Sequence, residues 1–201
     1  SIVGVSTSAT AFVDVFKRGP VDEPTRMTSM ADFERTFGGV WESSEASYGI
    51  SQFFLNGGAT VWVVRVAPDT VENFSNRRTA AEAVAALLVP PGGEANRTGI
   101  YALNKIVGDN FDLLCLPSTA LMQDPNRRAI QTAASKLCRE HRAMYIVDPP
   151  IQGPGPTGQL TVEAMRQLAL NELTELAETA AVYYPSVNIA DVLRANQQIV
   201  V

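Results

Sequence analysis

Apolar positions along this 201-residue chain fall into two rhythms, and their alternation lays out the elements. Runs of strand length with β-branched or aromatic residues occur at Ala9 to Phe16, Thr60 to Val66, Phe111 to Leu116, Ala143 to Val147 and Ala181 to Tyr184. Within the first, Phe12 and Val13 point to opposite faces, and Gly19 with Pro20 ends it because proline lacks a donor and fixes φ. The run from Thr60 to Val66 is almost continuously apolar, which predicts a strand covered on both faces.

Between these runs the spacing turns helical. Ser29 offers an N-cap with Asp32 three residues on, Phe33 and Phe37 lie one turn apart, and Gly38 and Gly39 stop the helix. Ile50, Phe53 and Phe54 share one face of a second helix closed by Asn56, Gly57 and Gly58. Thr79 to Leu88 is an Ala-rich helix, and the Pro- and Gly-rich stretch 90–96 is a breaker. Downstream, helices over Pro125 to His141 and Val162 to Glu178 alternate with strands, the mark of β-α-β units and a parallel sheet. Asp124 is expected to cap the first, with Pro125 at its opening position, and Thr161 the second. Ile130, Ala133, Ala134 and Leu137 form the buried stripe of the first; Val162, Met165, Leu168, Ala169, Leu173 and Leu176 that of the second. The expectation is an α/β fold: one domain over 1–201 with a mostly parallel central sheet flanked by helices. Residues 1–67 form its N-terminal part, 68–97 a linker and 98–201 a β-α-β-α-β part.

Several of these segments carry wording as well as rhythm. GPVDEPT at 19–25, DFERTFGG at 32–39, QFFLNGG at 52–58 and VWVVRV at 61–66 stand in order; TGIYAL at 98–103, FDLLCLP at 111–117, YIVDPP at 145–150 and AAVYYP at 180–185 follow. In these segments the chain resembles the contractile tail sheath proteins of phages and related injection machines. That family usually has an extended arm before a GVSTS segment, which here is 4–8, an extra domain where 67–97 stands, and further sequence past the YYP strand. The chain thus reads as a sheath core. The resemblance implies a structural subunit that polymerises with its own kind as stacked rings around an inner tube protein. It also implies contact with baseplate and tail terminator, and contraction that drives the tube through a target membrane. The place implied is a phage tail or contractile injection particle, assembled in the bacterial cytoplasm. Family arms link neighbours by adding strands to an adjacent sheet; the core without arms is expected to be a monomer or weak oligomer. A sheath-related cap or adaptor is the alternative, and a small α/β enzyme a more distant one.

Composition narrows the rest. A length near 200 residues with 46% hydrophobic composition suits a single core. No apolar stretch approaches the roughly 20 residues of a membrane helix, and no secretion signal pattern is visible. A net charge of -5 without basic clusters disfavours nucleic acid. Cys115 and Cys138 read as reduced, buried small hydrophobes.

Candidate chemistry is sparse. Asp148 follows a buried strand, where α/β folds gather ligands, but the prolines at 149 and 150 force the chain out of the sheet, and the better reading is a chain-exit residue. His141, the one histidine, sits near a helix end and reads as a capping or surface residue; with Cys138 it falls short of a zinc set. The segment 153–158 is Gly- and Pro-rich but lacks the Lys-Ser or Lys-Thr of a phosphate loop, Gly57 and Gly58 precede a strand instead of following one, and there is no Gly-x-Ser-x-Gly elbow. Asn73 and Asn96 begin glycosylation triplets of the kind that arise by chance. Arg77 with Arg78, Arg127 with Arg128, Asp22 with Glu23, and Glu172, Glu175 and Glu178 are expected to be solvated faces or subunit rims. No catalytic, cofactor-binding or metal-binding residue is assigned, no cofactor and no small-molecule ligand is expected, and the reading is non-enzymatic.

Overall fold

In the computed structural model, residues 9–67, 77–151, 160–171, 173–176, 178–194 and 197–200 are described. The short β1 (Thr10–Asp14), β3 (Val61–Arg65), β4 (Leu113–Cys115), β5 (Met144–Val147) and β6 (Ala180–Val182) pair in parallel. A further strand, β2 (Thr25–Met27), pairs antiparallel with β3 at one edge, giving the order β2-β3-β1-β4-β5-β6. The helices are α1 (Met30–Phe37), α2 (Glu45–Leu55), α3 (Arg77–Leu88), α4 (Gly93–Asn96), α5 (Asp124–His141) and α6 (Val162–Asn171). A hairpin of β7 (Asn188–Asp191) and β8 (Gln197–Val200) forms a separate two-stranded sheet. The expected α/β class and mostly parallel sheet are therefore present.

The topology follows from crossover handedness. From β1 the chain moves one way to β3, then reverses, passes over β1 to β4, and continues through β5 to β6. Right-handed crossovers in opposite directions must lie on opposite faces. Accordingly Phe12, Val61 and Val63 pack with Phe16, Phe33, Phe37, Ala46 and Ile50 from the α1–α2 crossover. Ala11, Val13 and Val64 pack on the other face with Val84 and Leu88 of α3 and Ile130, Ala134 and Leu137 of α5. Phe12 and Val13 thus serve different cores, and β3 is covered on both sides.

Local signals set the ends of most elements. The Ser29 hydroxyl accepts from the Asp32 amide at 3.1 Å, and Gly38 closes α1 with φ 93°. Gly19 has φ 110°, and a Cβ there would come within 2.6 Å of the Phe37 ring, so glycine is required where the chain leaves β1. Thr161 caps α6 through the Ala164 amide at 3.1 Å.

Several expectations need correction. Asp124 lies inside α5, whose N-cap is Gln123 without a side-chain cap bond; it pairs instead with Arg127 at 2.5 Å. Arg127 is not on a solvated face: it is 3% exposed, because it falls on the stripe that continues through Ile130, Gln131, Ala134 and Cys138. The second long helix ends at Asn171, where the Thr174 hydroxyl takes the Leu170 carbonyl at 2.7 Å and a 3-10 turn, Thr174–Leu176, follows. Val162 is exposed rather than part of the stripe, since α6 lays only Met165 fully into the core. The loop after β1 also holds β2, and the stretch at 90–96 contains α4, both too short for a periodic signal.

Candidate functional site

The richest polar constellation lies where the direction of winding reverses, at the carboxyl ends of β1, β4 and β5. Asp14 ends β1 with its side chain 1% exposed. Its Oδ1 accepts from the Val15 amide at 2.8 Å, and its Oδ2 from the Ala46 amide at 2.9 Å and the Ser44 hydroxyl at 3.4 Å. Ser44 is the N-cap of α2, so the strand carboxyl docks on the free N–H groups of that helix's first turn. Burial pushes Asp14 up to about 7, against the amide bonds that favour the carboxylate, and the nearby Glu45 charge adds to the rise. Asp148, one residue past β5, is likewise pushed up to about 7 by burial and then by Glu45. Glu45 and Asp148 share the lining of a cavity of about 280 Å³. Neither Asp14 nor Glu45 is singled out by pattern reasoning; the available signal was an acid inside the otherwise buried run TAFVDVF at 10–16.

The other candidates sit elsewhere. His141 ends α5 beside the start of β5, so β5 itself separates it from Asp148. Its Nε2 contacts Asn104 Oδ1 at 2.6 Å, its Nδ1 contacts Asn110 Oδ1 at 3.2 Å, and its ring lies 4.9 Å from that of Phe111. Burial lowers its pKa. It is a bridging residue between α5 and the 99–111 segment, inside the molecule's own packing. Cys115 and Cys138 are free thiols, both raised by burial, Cys138 to about 12. Among the described residues no group of three or more His, Cys, Asp or Glu side chains is placed to hold a metal. The segment 153–158, Asn73, Glu172 and the side chains of Arg77, Arg78 and Glu175 lie outside the described residues.

Asp22 is not a free solvated face. It adopts φ 53°, its Oδ1 accepts from the Gly99 amide at 2.8 Å, and its carbonyl accepts from Lys105 Nζ at 2.5 Å. The Arg65 guanidinium holds the same loop through the Phe16 and Gly19 carbonyls, each at 3.0 Å. The GPVDEPT segment is thereby tied to the 3-10 segment Gly99–Lys105. Near the C-terminus, Asp191 of β7 is 1% exposed and accepts from the Tyr48 hydroxyl of α2 at 3.3 Å, while Arg194 pairs with Glu42. These contacts fasten the β7–β8 hairpin to α2 and leave an apolar groove between them, lined in part by Met30, Phe54, Leu55 and Val192. No helix among the described residues is long and apolar enough to cross a membrane.

No protein-family model and no curated protein sequence matches the chain. Solved structures do. A chain of the anti-feeding prophage baseplate in the contracted state aligns over 100% of this chain with a TM-score of 0.65 and 14% identity. A chain of the helical sheath of the same particle in the contracted state aligns over 100% with a TM-score of 0.50 and 18% identity. The contracted sheath complex of an extracellular contractile injection system, PVC, gives 100%, 0.54 and 19%. The chain spans 48%, 44% and 43% of those three chains, less than half of each. With identities this low the likeness is one of fold, and on that ground the chain has a contractile-sheath-like fold.

Proposed function

We propose that this chain is the core of a structural subunit in a contractile sleeve, joining copies of itself in stacked rings around an inner tube. The observation that carries the reading is the alignment of all of its length with chains from contracted sheath assemblies. A sleeve of this kind needs no nucleotide: subunits assembled in one packing and released into another of lower free energy drive motion through a bistable interface repeated many times. Contraction would push the tube through a target membrane, with baseplate and terminator at the two ends of a phage tail or injection particle.

The β7–β8 hairpin supports the way copies would connect. A lone two-stranded sheet is marginal in water and presents unpaired backbone on both sides. Strands added by arms of neighbouring subunits would complete it by β-augmentation, with the Asp191 contacts anchoring it to α2. A sheath-related adaptor is the second reading, favoured by the alignment with a chain from a baseplate assembly.

Negative-stain electron microscopy of the product of the whole gene, beside this 201-residue chain, tests the proposal. Tubes or sleeves from the former and dispersed particles from the latter are expected. Short rings or discs in place of tubes favour the adaptor, and dispersed globules from both overturn the sheath reading.

A further inference from the structure

His141 meets an amide oxygen at each ring nitrogen: Asn104 Oδ1 stands 2.6 Å from Nε2 and Asn110 Oδ1 3.2 Å from Nδ1. A neutral imidazole carries one proton, so it donates from one nitrogen and must accept at the other. Two facing oxygens therefore satisfy only the imidazolium, in which both nitrogens donate. The 2.6 Å contact is shorter than an ordinary neutral N–H···O bond, as charge assistance makes it. Burial nevertheless lowers the pKa of His141 from 6.5, so at pH 7 the ring is neutral and one nitrogen faces the wrong partner unless a side chain turns.

The two asparagines are not equally free to turn. Asn110 Nδ2 donates to the His141 carbonyl oxygen at 2.8 Å, and a carbonyl can only accept, so the Asn110 amide is fixed with its oxygen toward Nδ1. Nδ1 thus keeps its proton in both charge states, and Nε2 is the nitrogen that loses it. Among the described residues no other hydrogen bond holds the side chain of Asn104, which is half-buried in the 3-10 segment Gly99–Lys105. A half-turn about its Cβ–Cγ bond puts Nδ2, a donor, where Oδ1 stood.

We propose that Asn104 follows the proton of His141: Nε2–H donates to Oδ1 in the acid form, and the amide inverts so that bare Nε2 accepts from Nδ2–H in the neutral form. The clamp between the end of α5 and the 99–111 segment then persists across the titration instead of breaking. The clamped segment is also the one that ties down the sheet's edge. Lys105, next to Asn104, holds the Asp22 carbonyl and pairs with Glu23, and Asp109 pairs with Arg26 of β2. Of the charged groups around the ring, Glu140 on α5 favours the proton, and Arg142, next in the chain, is exposed. From the 99–111 segment the ring meets Asn104, Asn110 and Phe111, which do not titrate; Lys105 and Asp109 are spent on the partners just named, and Asp112 on the Ala9 amide. This device does not rest on the sheath reading, and its failure would leave that reading untouched.

The test is nitrogen-15 NMR of the 201-residue chain between about pH 8 and about pH 4.5. At pH 8 His141 is expected as the Nδ1–H tautomer, with a scalar coupling from Asn104 across the Nδ2–H···Nε2 bond. In acid both ring nitrogens are expected to carry protons, and the coupling to vanish with the same midpoint. Asn104→Asp, whose carboxylate accepts from Nε2–H but has nothing to donate to bare Nε2, is expected to raise that midpoint by at least about one pH unit. Asn104→Leu serves neither charge state, and is expected to speed amide exchange over Gly99–Lys105 at least about threefold at both ends of the range. An Nε2–H tautomer at pH 8, no coupling from Asn104 there, or an unmoved midpoint in Asn104→Asp overturns the proposal. Faster exchange in Asn104→Leu at one end of the range alone overturns the persistence of the clamp.

Discussion

Phe16, Phe33 and Phe37 illustrate how much of this fold rests on single residues. Their ring centroids lie 5.5, 5.3 and 5.9 Å apart in pairs, and all three are at most 1% exposed. Removing one leaves a cavity that neighbours on two helices and a strand cannot close. Phe37→Ala is therefore expected to cost about 3–5 kcal/mol in urea denaturation. Asp14, buried, and Asp148, half-buried, make a prediction of opposite character. Asp14 and Asp148 are each raised from 3.8 to about 7 in the folded chain, so between those values the folded state holds protons that the unfolded state has released. Stability contributed by these protons is full below about pH 4 and is lost as pH rises toward 7, at about 1.4 kcal/mol per unit of displacement for each group. His141, lowered by burial, acts in the opposite sense near its unfolded value of 6.5. The difference between wild type and Asp148→Asn isolates the carboxyl: the wild type's advantage should shrink by on the order of a few kcal/mol from pH 5 to pH 8. A difference that is flat across that range would count against the raised value.

At the scale of elements, caps and turns divide into those that local sequence specifies and those that contacts specify. α1 belongs to the first kind, with Ser29, Asp32 and Gly38 each in its expected role. Ser29→Ala should cost about 1 kcal/mol, read from thermal or urea unfolding. The junction after α3 belongs to the second. Gly99 has φ 65°, and a Cβ there would stand 2.3 Å from the Leu88 carbonyl oxygen, with the Asp22 carboxylate on its amide. Gly99→Ala is expected to destabilise by more than about 1 kcal/mol, the size of an ordinary incompatible-backbone effect, because the clash is with backbone that cannot rotate away. Asp22→Asn at the same junction should cost less, since an amide oxygen can still accept from Gly99. α1 and α5 were legible because a clean period runs between recognisable ends; β2 and α4 were not, being 3 and 4 residues long and held by partners distant in sequence.

Across the whole molecule, stability should be graded. β1, β3 and α5 each supply several buried residues to the core clusters, whereas α6 contributes Met165 alone from its own turns and carries Val162 and Leu170 on its outside at 74% and 58% exposed. Amide exchange should therefore be slowest in β1 and β3, which are flanked by strands and helices, and fastest in α6 and the β7–β8 hairpin. Equal protection across both regions would contradict that gradient. The gradient bears on the proposed role as well: the segments with the least internal support are those that neighbouring subunits would cover.

The sequence by itself determined the α/β class, the parallel strands, the helices α1, α2, α3 and α5 and the start of α6, because periodicity, caps and proline or glycine stops act over a few residues. It also carried the sheath resemblance, through ordered segments such as DFERTFGG and QFFLNGG. Tertiary structure alone decided the edge strand β2, the burial of Arg127, and the use of Asp22 as a tie and not a solvated charge. It alone assembled Asp14, Glu45 and Asp148, which stand 31 and 103 positions apart along the chain. The physical reason is the reversal of winding: it brings the carboxyl ends of β1 and β4 side by side, and no local pattern reports which strands will be neighbours.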